Sequence, residues 1–396
     1  MLQRRQVSAR AAAWLLAAYL LGLAGCPTPS PDNEPVADFS ASPLSGQAPL
    51  VVQFTDLSTV AAGEIAFYYW DFGDGRQSHN QSPLHVYQTA DTYTVSLTVT
   101  TPSGTDTMQK TAYIGVSPTN DAATVQFGDA NLEAAIREAT EKPTGPITVG
   151  EARAIQGIEI VDYIITNLSG LQHFTGLEYL RISGAYGGGK TALDLAPLSA
   201  LTNLTQLQLD ECGIVDLGPL VTLENLSILY MYGNFIEDIA PLADLANLAV
   251  LYAYNNSIED LSPLAALTGL QILNLYGNSI EDVTPLQSLI QLQTLYLDNN
   301  LIADVTPLAG LSALKTLYLG INNITDISPL SYLPSLQTLG LNDNQISNIS
   351  SLYNLENLSI LYLEGNPLVP ATACSTIEAL SAEGVIVYHD LECQTI

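Results

Sequence analysis

The sequence predicts a multidomain chain: an all-β sandwich first, then a helical segment capping a solenoid of stacked coils with a parallel sheet on the concave face. Three observations predict it. From Leu201 to Asn366 one 22-residue unit recurs with little drift, restarting at Leu201, Leu223, Leu245, Leu267, Leu289, Leu311, Leu333 and Leu355; a fixed period of this length means coils that can bury their apolar faces only against one another. Between residues 35 and 117 apolar and polar residues alternate with a period of two, the mark of half-buried strands. The chain has 396 residues, 47% of them hydrophobic, and a formal net charge of -29, too long for one ordinary domain and acidic enough to argue against nucleic acid or anionic lipid as partner.

Taken in order, residues 1–25 read as a signal peptide: Arg4, Arg5 and Arg10, then the apolar run from Ala11 to Leu23, too short for a stable membrane span. Leu23-Ala24-Gly25-Cys26 resembles the bacterial lipobox. The resemblance implies cleavage before Cys26, which would carry the lipid and anchor the chain to a membrane. Pro27, where an aspartate would signal inner-membrane retention, turns that expectation toward the outer membrane or cell surface of the envelope. Residues 26–34 form a proline-rich tether, extended at about 3.1 Å per residue.

Residues 35–117 form the sandwich. Val52 and Phe54 alternate with polar neighbours, Tyr93, Val95, Leu97 and Val99 line one face of a strand, and Gly73-Asp74-Gly75 marks a turn. The run Tyr69-Trp70-Asp71-Phe72-Gly73-Asp74-Gly75, with His85-Val86-Tyr87 and Thr92-Tyr93-Thr94-Val95, resembles the PKD domain, an Ig-like sandwich. That resemblance implies a spacer or adhesive module without catalytic residues. Trp70 and Phe72 are expected in the core, and Asp71 and Asp74 as turn organisers; a Ca²⁺ site on that pair is the alternative. His85 reads as structural.

Residues 118–151 are expected to cap the solenoid with two helices. The first is predicted over Phe127 to Lys142, capped by Asp129, with Leu132, Ala135, Ile136 and Ala139 inward. Thr148-Val-Gly-Glu151 is a capping-box pattern opening the second.

The coils occupy residues 152–366. Two irregular ones come first, the second lengthened by five residues near Gly187–Gly189, which is either a contact loop or a tolerated insertion. In each regular coil the strand is predicted at the seventh to ninth positions (Leu229-Tyr230-Met231), odd residues inward and the even one outward. The twelfth position is Cys212, then Asn234, Asn256, Asn278, Asn300, Asn322, Asn344 and Asn366. This is predicted to be a column of buried amides serving the backbone at the turn, with Cys212 a core thiol rather than a nucleophile or metal ligand. Aspartates at the sixteenth position (Asp216, Asp238, Asp260, Asp282, Asp304, Asp326) are expected to accept local backbone bonds. Glu237, Glu259 and Glu281 beside them read as a solvated ridge, with a cationic partner or loosely held Ca²⁺ as the alternative.

The signature Asn-x-Ile-x-Asp-Ile-x-Pro-Leu resembles the 22-residue leucine-rich repeats of the internalin type. The resemblance implies a curved solenoid that binds a partner on its concave sheet and carries no enzyme chemistry.

Residues 367–396 form the other cap. A helix is predicted from Thr372 to Ala382, closed by Gly384, then a strand from Val385 to Tyr388. Cys374 and Cys393 bracket this unit and are expected to pair, stabilising it by roughly 3 kcal/mol on the loop-entropy account.

The outward positions carry the candidate site. The eighth column holds Tyr230, Tyr252, Tyr296, Tyr318 and Tyr362, and the tenth holds Tyr232, Tyr254 and Tyr276, together with Asp210, Asp298, Gly320, Asn342 and Glu364. Tyrosine suits strands and stacks across them, yet it also suits binding surfaces. A protein ligand is expected here, a glycan is the second reading, and an architectural role without a ligand is the third. His79, His85, His173 and His389 show no metal-ligand spacing, and no nucleophile elbow or phosphate loop occurs, so neither enzyme activity nor a cofactor or metal is expected.

Overall fold

The computed structural model describes residues 34–161, 163–184 and 192–393. The signal peptide over 1–25, Cys26 with nearly all of the tether, and the glycine triplet at 187–189 lie outside the described residues. The chain divides into two compact units, one built largely of the early strands and one dominated by the coils.

The early strands are β1 (Phe39–Ser42), β2 (Ser45–Gln47), β3 (Leu50–Asp56), β4 (Phe67–Asp71), β5 (Gln77–Ser78), β6 (Leu84–Tyr87), β7 (Thr92–Thr101) and β8 (Gly104–Ser117). They form sheets in the orders β1-β3-β6 and β2-β8-β7-β4-β5. Alternation places Val52, Phe54, Val95, Leu97 and Val99 in the core. Phe39 and Phe54 reach across to Trp70 at ring-centroid distances of 5.1 and 5.4 Å, and Trp70 Nε1 donates to the Asn80 carbonyl at 2.9 Å, so the buried indole leaves no orphan donor. Asp71 and Asp74 organise the turn as expected, accepting from the backbone N–H of Gly73 at 2.9 Å and of Arg76 at 3.0 Å. His85 is buried, edge-on to Tyr87.

The first cap helix, α1 (Ala130–Ala139), is shorter than expected. Asp129 takes up the N–H groups of Asn131 and Leu132 and so fixes the start, while Glu141 turns to φ 53° and ends the run. Leu132, Ala135 and Ile136 are buried, whereas Ala139 faces solvent because the helix closes beside it. Helix α2 (Val149–Arg153) carries both halves of the capping box between Thr148 and Glu151.

The solenoid strands are β9 (Gly157–Val161), β10 (Tyr179–Ser183), β11 (Gln206–Asp210), β12 (Ile228–Tyr230), β13 (Val250–Tyr252), β14 (Ile272–Asn274), β15 (Thr294–Tyr296), β16 (Thr316–Tyr318), β17 (Thr338–Gly340), β18 (Ile360–Tyr362) and β19 (Ile386–Tyr388). They make one parallel sheet in chain order. In the regular coils the strands begin at the sixth position, one residue earlier than expected. The ladder itself runs on, since Met231 N–H donates to the Tyr252 carbonyl at 2.8 Å and Gly233 N–H to that of Tyr254 at 3.0 Å. The inward set is as predicted: Leu229, Met231, Ile236, Ile239 and Leu242 are all buried. Proline opens a 3-10 turn on the far side of most coils, as at Ala240–Leu242 and Ser262–Leu264.

The asparagine column works as hydrogen-bonded rungs. Asn300 Nδ2 donates to the Leu275 and Leu297 carbonyls at 3.0 Å, and its Oδ1 accepts from Ile280 N–H at 3.1 Å. One side chain therefore joins two coils. Cys212 occupies this place in the first regular coil and substitutes a thiol that contacts the Ile182 and Asp210 carbonyls, each at 3.3 Å. The expectation of uniform burial needs correction: Asn234, Asn300, Asn322 and Asn344 are buried, but Asn256, Asn278 and Asn366 are only half-buried.

Helix α3 (Pro370–Ala382) begins two residues before the expected start because Pro370 fits the first helical turn, where its missing N–H is not needed. Cys374 and Cys393 are disulfide-bonded across 19 residues.

Candidate binding face

Parallel pairing with identical residues in register is what builds the face. Tyr230 lies opposite Tyr252 and Tyr296 opposite Tyr318, and strands about 4.8 Å apart hold planar rings near stacking distance. The rings stack at centroid distances of 4.9 Å for Tyr230–Tyr252, 4.3 Å for Tyr232–Tyr254 and 5.2 Å for Tyr296–Tyr318, with interplanar angles of 15°, 6° and 8°. Asn274 interrupts the eighth column, but Gly340 does not. A Cβ at Gly340 would stand 2.5 Å from Tyr318 Cδ1; with none there, Tyr318 leans over and reaches Tyr362 at 6.1 Å.

All eight predicted tyrosines thus lie on the outward face. Stacking leaves Tyr230, Tyr232, Tyr252, Tyr254, Tyr296, Tyr318 and Tyr362 half-buried, and Tyr276 alone of the eight is exposed, at 38%. Within each stacked pair one face of each ring is covered by its neighbour. Burial, with Tyr232 alongside, pushes Tyr254 up to about 12, so its phenol stays protonated.

Two parts of the face were not foreseen. Tyr388, on the terminal strand, stacks on Tyr362 at 4.8 Å and 6° and extends the column; its phase two residues beyond Ile386 was the available signal. The sixth position forms a third outward column, aliphatic at Ile228, Val250 and Ile272, then Thr294, Thr316 and Thr338, then Ile360 and Ile386. Period-two counting back from the eighth column would have found it.

Asp210 requires a correction. It was expected outward and open, yet it is 0% exposed. Gln208 Nε2 donates to its Oδ2 and the Tyr232 side chain stands beside it. Burial pushes its carboxyl up to about 6 against the pull of those donors, and burial does the same to Asp298, which accepts from Gly320 N–H at 3.0 Å. Gly320 and Gly340 are likewise covered, by Asn342 and Tyr318. The sixteenth-position aspartates each accept a backbone bond two residues on, from 2.7 Å at Asp238 to 2.8 Å at Asp326. Among the described residues no three His, Cys, Asp or Glu side chains are grouped closely enough to hold a metal ion.

Comparison with known proteins decides the family. The PKD domain family matches residues 32–116, and the Leucine Rich repeats (2 copies) family matches residues 246–288, 290–332 and 334–381. An internalin (InlF) from Listeria monocytogenes shares 30% identity, covering 67% of this chain and 91% of its own, with a TM-score of 0.51. The chain is an internalin-type leucine-rich-repeat protein with a PKD domain.

A Leptospira interrogans leucine-rich-repeat protein is 22% identical (TM-score 0.52; 61% of this chain, 62% of that one), and InlJ of Listeria monocytogenes is also 22% identical (0.51; 70% and 63%); these share the fold. Collagenases ColQ1 and ColA of Bacillus cereus are 39% identical over 70 residues, 17% of this chain. The chain spans only 7% of the length of those curated relatives. Internalin-type repeat proteins are generally interaction or adhesion proteins, and the fold is typically non-catalytic. Together with a PKD domain it suggests a surface or extracellular protein; among the described residues no helix is long and apolar enough to cross a membrane.

Proposed function

We propose that this internalin-type chain is a non-catalytic cell-envelope protein, held by lipid at Cys26, that binds a protein ligand on the concave face of its solenoid. Residues 26–34 act as tether and the PKD segment at 35–117 as spacer. The observation that supports the reading is the outward array of eight predicted tyrosines, extended by Tyr388 and flanked by an aliphatic column. Rings rich in contact area with polar tips are what protein-binding surfaces use.

The stacking also weighs protein against sugar. A sugar packs its C–H groups on an open aromatic face, whereas here each stacked pair has already covered one face of each of its rings.

The test is to probe a protein array and a glycan array with the full chain. Protein hits that vanish with Tyr232→Ala plus Tyr254→Ala, and survive Tyr332→Ala at an exposed site off the sheet, are expected. Glycan hits lost through the same pair would replace this reading with a sugar-binding one. Loss of membrane association in Cys26→Ser checks the anchor separately.

A further inference from the structure

A polar groove of about 650 Å³ crosses the early coils on the side where the chain enters β10 to β13, and it is lined by Glu178, Asn203, Thr205, Asn225, Ser227 and Asn247. It lies outside the tyrosine columns. Because Tyr179, Gln206, Ile228 and Val250 pair in turn, Glu178, Thr205 and Ser227, each one residue before its strand, fall in one row. Asn203, Asn225 and Asn247, two residues earlier again in their coils, form a second row beside it. Ala249 ends the first row and Gly269 the second, so the groove is a local departure and not a product of the repeat.

Five of these side chains are fixed by a bond to the backbone of the preceding coil. The amide nitrogens of Asn203, Asn225 and Asn247 donate to the carbonyls of Thr175, Thr202 and Glu224 at 2.9, 2.8 and 2.8 Å. Thr205 Oγ1 donates to the Glu178 carbonyl and Ser227 Oγ to that of Thr205, each at 3.0 Å. Each amide keeps its Oδ1 and a second N–H, and each hydroxyl keeps its lone pairs. Glu178 is exposed, with one long contact from Gln156 Nε2 at 3.4 Å. The groove therefore offers donor and acceptor together, once per coil, on side chains already ordered before anything binds.

We propose that this groove is a second binding site, separate from the concave face, and that it takes an extended, neutral β-1,4-linked glycan with one sugar to each coil. The spacing argues for that class: neighbouring strands stand about 4.8 Å apart, close to the rise of one pyranose in such a chain. An extended peptide repeats its same-side groups only about every 6.6 Å and falls out of step. Sugar hydroxyls donate and accept at once, which is what the remaining amide and hydroxyl groups match, and the Glu178 carboxylate accepts the stronger, charge-assisted bonds at one end. From β10 to β13 the row spans about 14 Å at roughly 4.8 Å per strand. The formal charge of -29 repels uronic, sulfated or phosphate-bearing chains.

The probes are cellohexaose and, as its α-linked counterpart that coils instead of extending, maltohexaose. Each is titrated into the full chain while the side-chain amide signals of Asn203, Asn225 and Asn247 are followed by NMR. Cellohexaose is expected to shift all three to saturation and maltohexaose to leave them in place. Asn203→Ala plus Asn225→Ala plus Asn247→Ala is expected to weaken cellohexaose binding at least fivefold. Asn357→Ala, which removes the same kind of bond between coils, to the Pro334 carbonyl at 2.7 Å but outside the groove, is expected to stay within about twofold of normal.

No shift of these amides with cellohexaose, the same response to both glycans, or equal losses in Asn357→Ala and the triple overturns the proposal. Tyr232→Ala plus Tyr254→Ala keeps the two sites apart. Cellohexaose binding unchanged in that pair supports the groove, and binding abolished by it places the sugar on the concave sheet and overturns the groove. Protein hits lost in that pair, with no cellohexaose binding, leave the concave reading standing while the groove falls. Should the triple fail to fold, Thr205→Val plus Ser227→Ala is expected to give at least a threefold loss in its place, and binding unchanged in that pair overturns the proposal.

Discussion

At the scale of single residues, the asparagine rung is the most economical device in the molecule. Asn300 serves three carbonyls and one N–H from a buried position, so Asn300→Ala strands several buried groups at once. At about 1–3 kcal/mol for each unsatisfied group, the variant should lose roughly 3 kcal/mol or more in urea unfolding, and the half-buried Asn256→Ala should lose clearly less. Gly340 is the opposite case, a position defined by what it lacks. Gly340→Ala is expected to push Tyr318 upright and part it from Tyr362, seen as loss of the cross-peak between these rings in NMR spectra. The column and its thiol member were legible from the repeat because each position sees the same neighbours. The burial of Asp210 was not, because it depends on Gln208 and Tyr232, which recur at no other pair of coils.

At the scale of elements, what matters is how an open-ended stack is closed. Leu132 and Ile136 of α1 are fully buried against the first coils, so Leu132→Ala should cost about 3 kcal/mol through the cavity it leaves. Hydrogen exchange should show the loss concentrated in β9 and β10, since coils feel mainly their neighbours. The Cys374–Cys393 bond closes the other end. Cys374→Ser plus Cys393→Ser is expected to remove about 3 kcal/mol, with exchange rising in α3 and β19 while the middle coils keep their protection. Helix existence, caps and cysteine pairing were readable because caps and spacing are local signals. Helix ends and strand starts shifted by one to three residues, because an apolar residue at the sixth position looks the same whether it faces the core or the concave sheet.

At the scale of the whole molecule, two populations of carboxylate oppose one another as pH changes. Asp210 and Asp298, raised by burial to about 6, keep their protons in the folded chain over a range where the unfolded chain has lost them. Folding then binds protons, and stability falls as pH rises from about 4 to 6. Asp260, Asp282, Asp304 and Asp326 are held below the usual range by the hydrogen bonds they accept from the residues two places on. Their contribution is present above the unfolded value and is lost as pH falls through the lowered one. The melting temperature should therefore rise from pH 7 to 5 and drop again below about 4, and Asp210→Asn plus Asp298→Asn should flatten the upper limb alone.

The in-register tyrosines carry an implication for how such a face changes its length. Every coil adds one rung, so gain or loss of a whole 22-residue unit edits the aromatic row without disturbing the phase of any residue. Excising residues 267–288, the coil bearing Asn274, would bring Tyr252 beside Tyr296 and fuse two short rows into one unbroken strip from Tyr230 to Tyr388. Recombination between near-identical coils is thus a ready route from one ligand footprint to another.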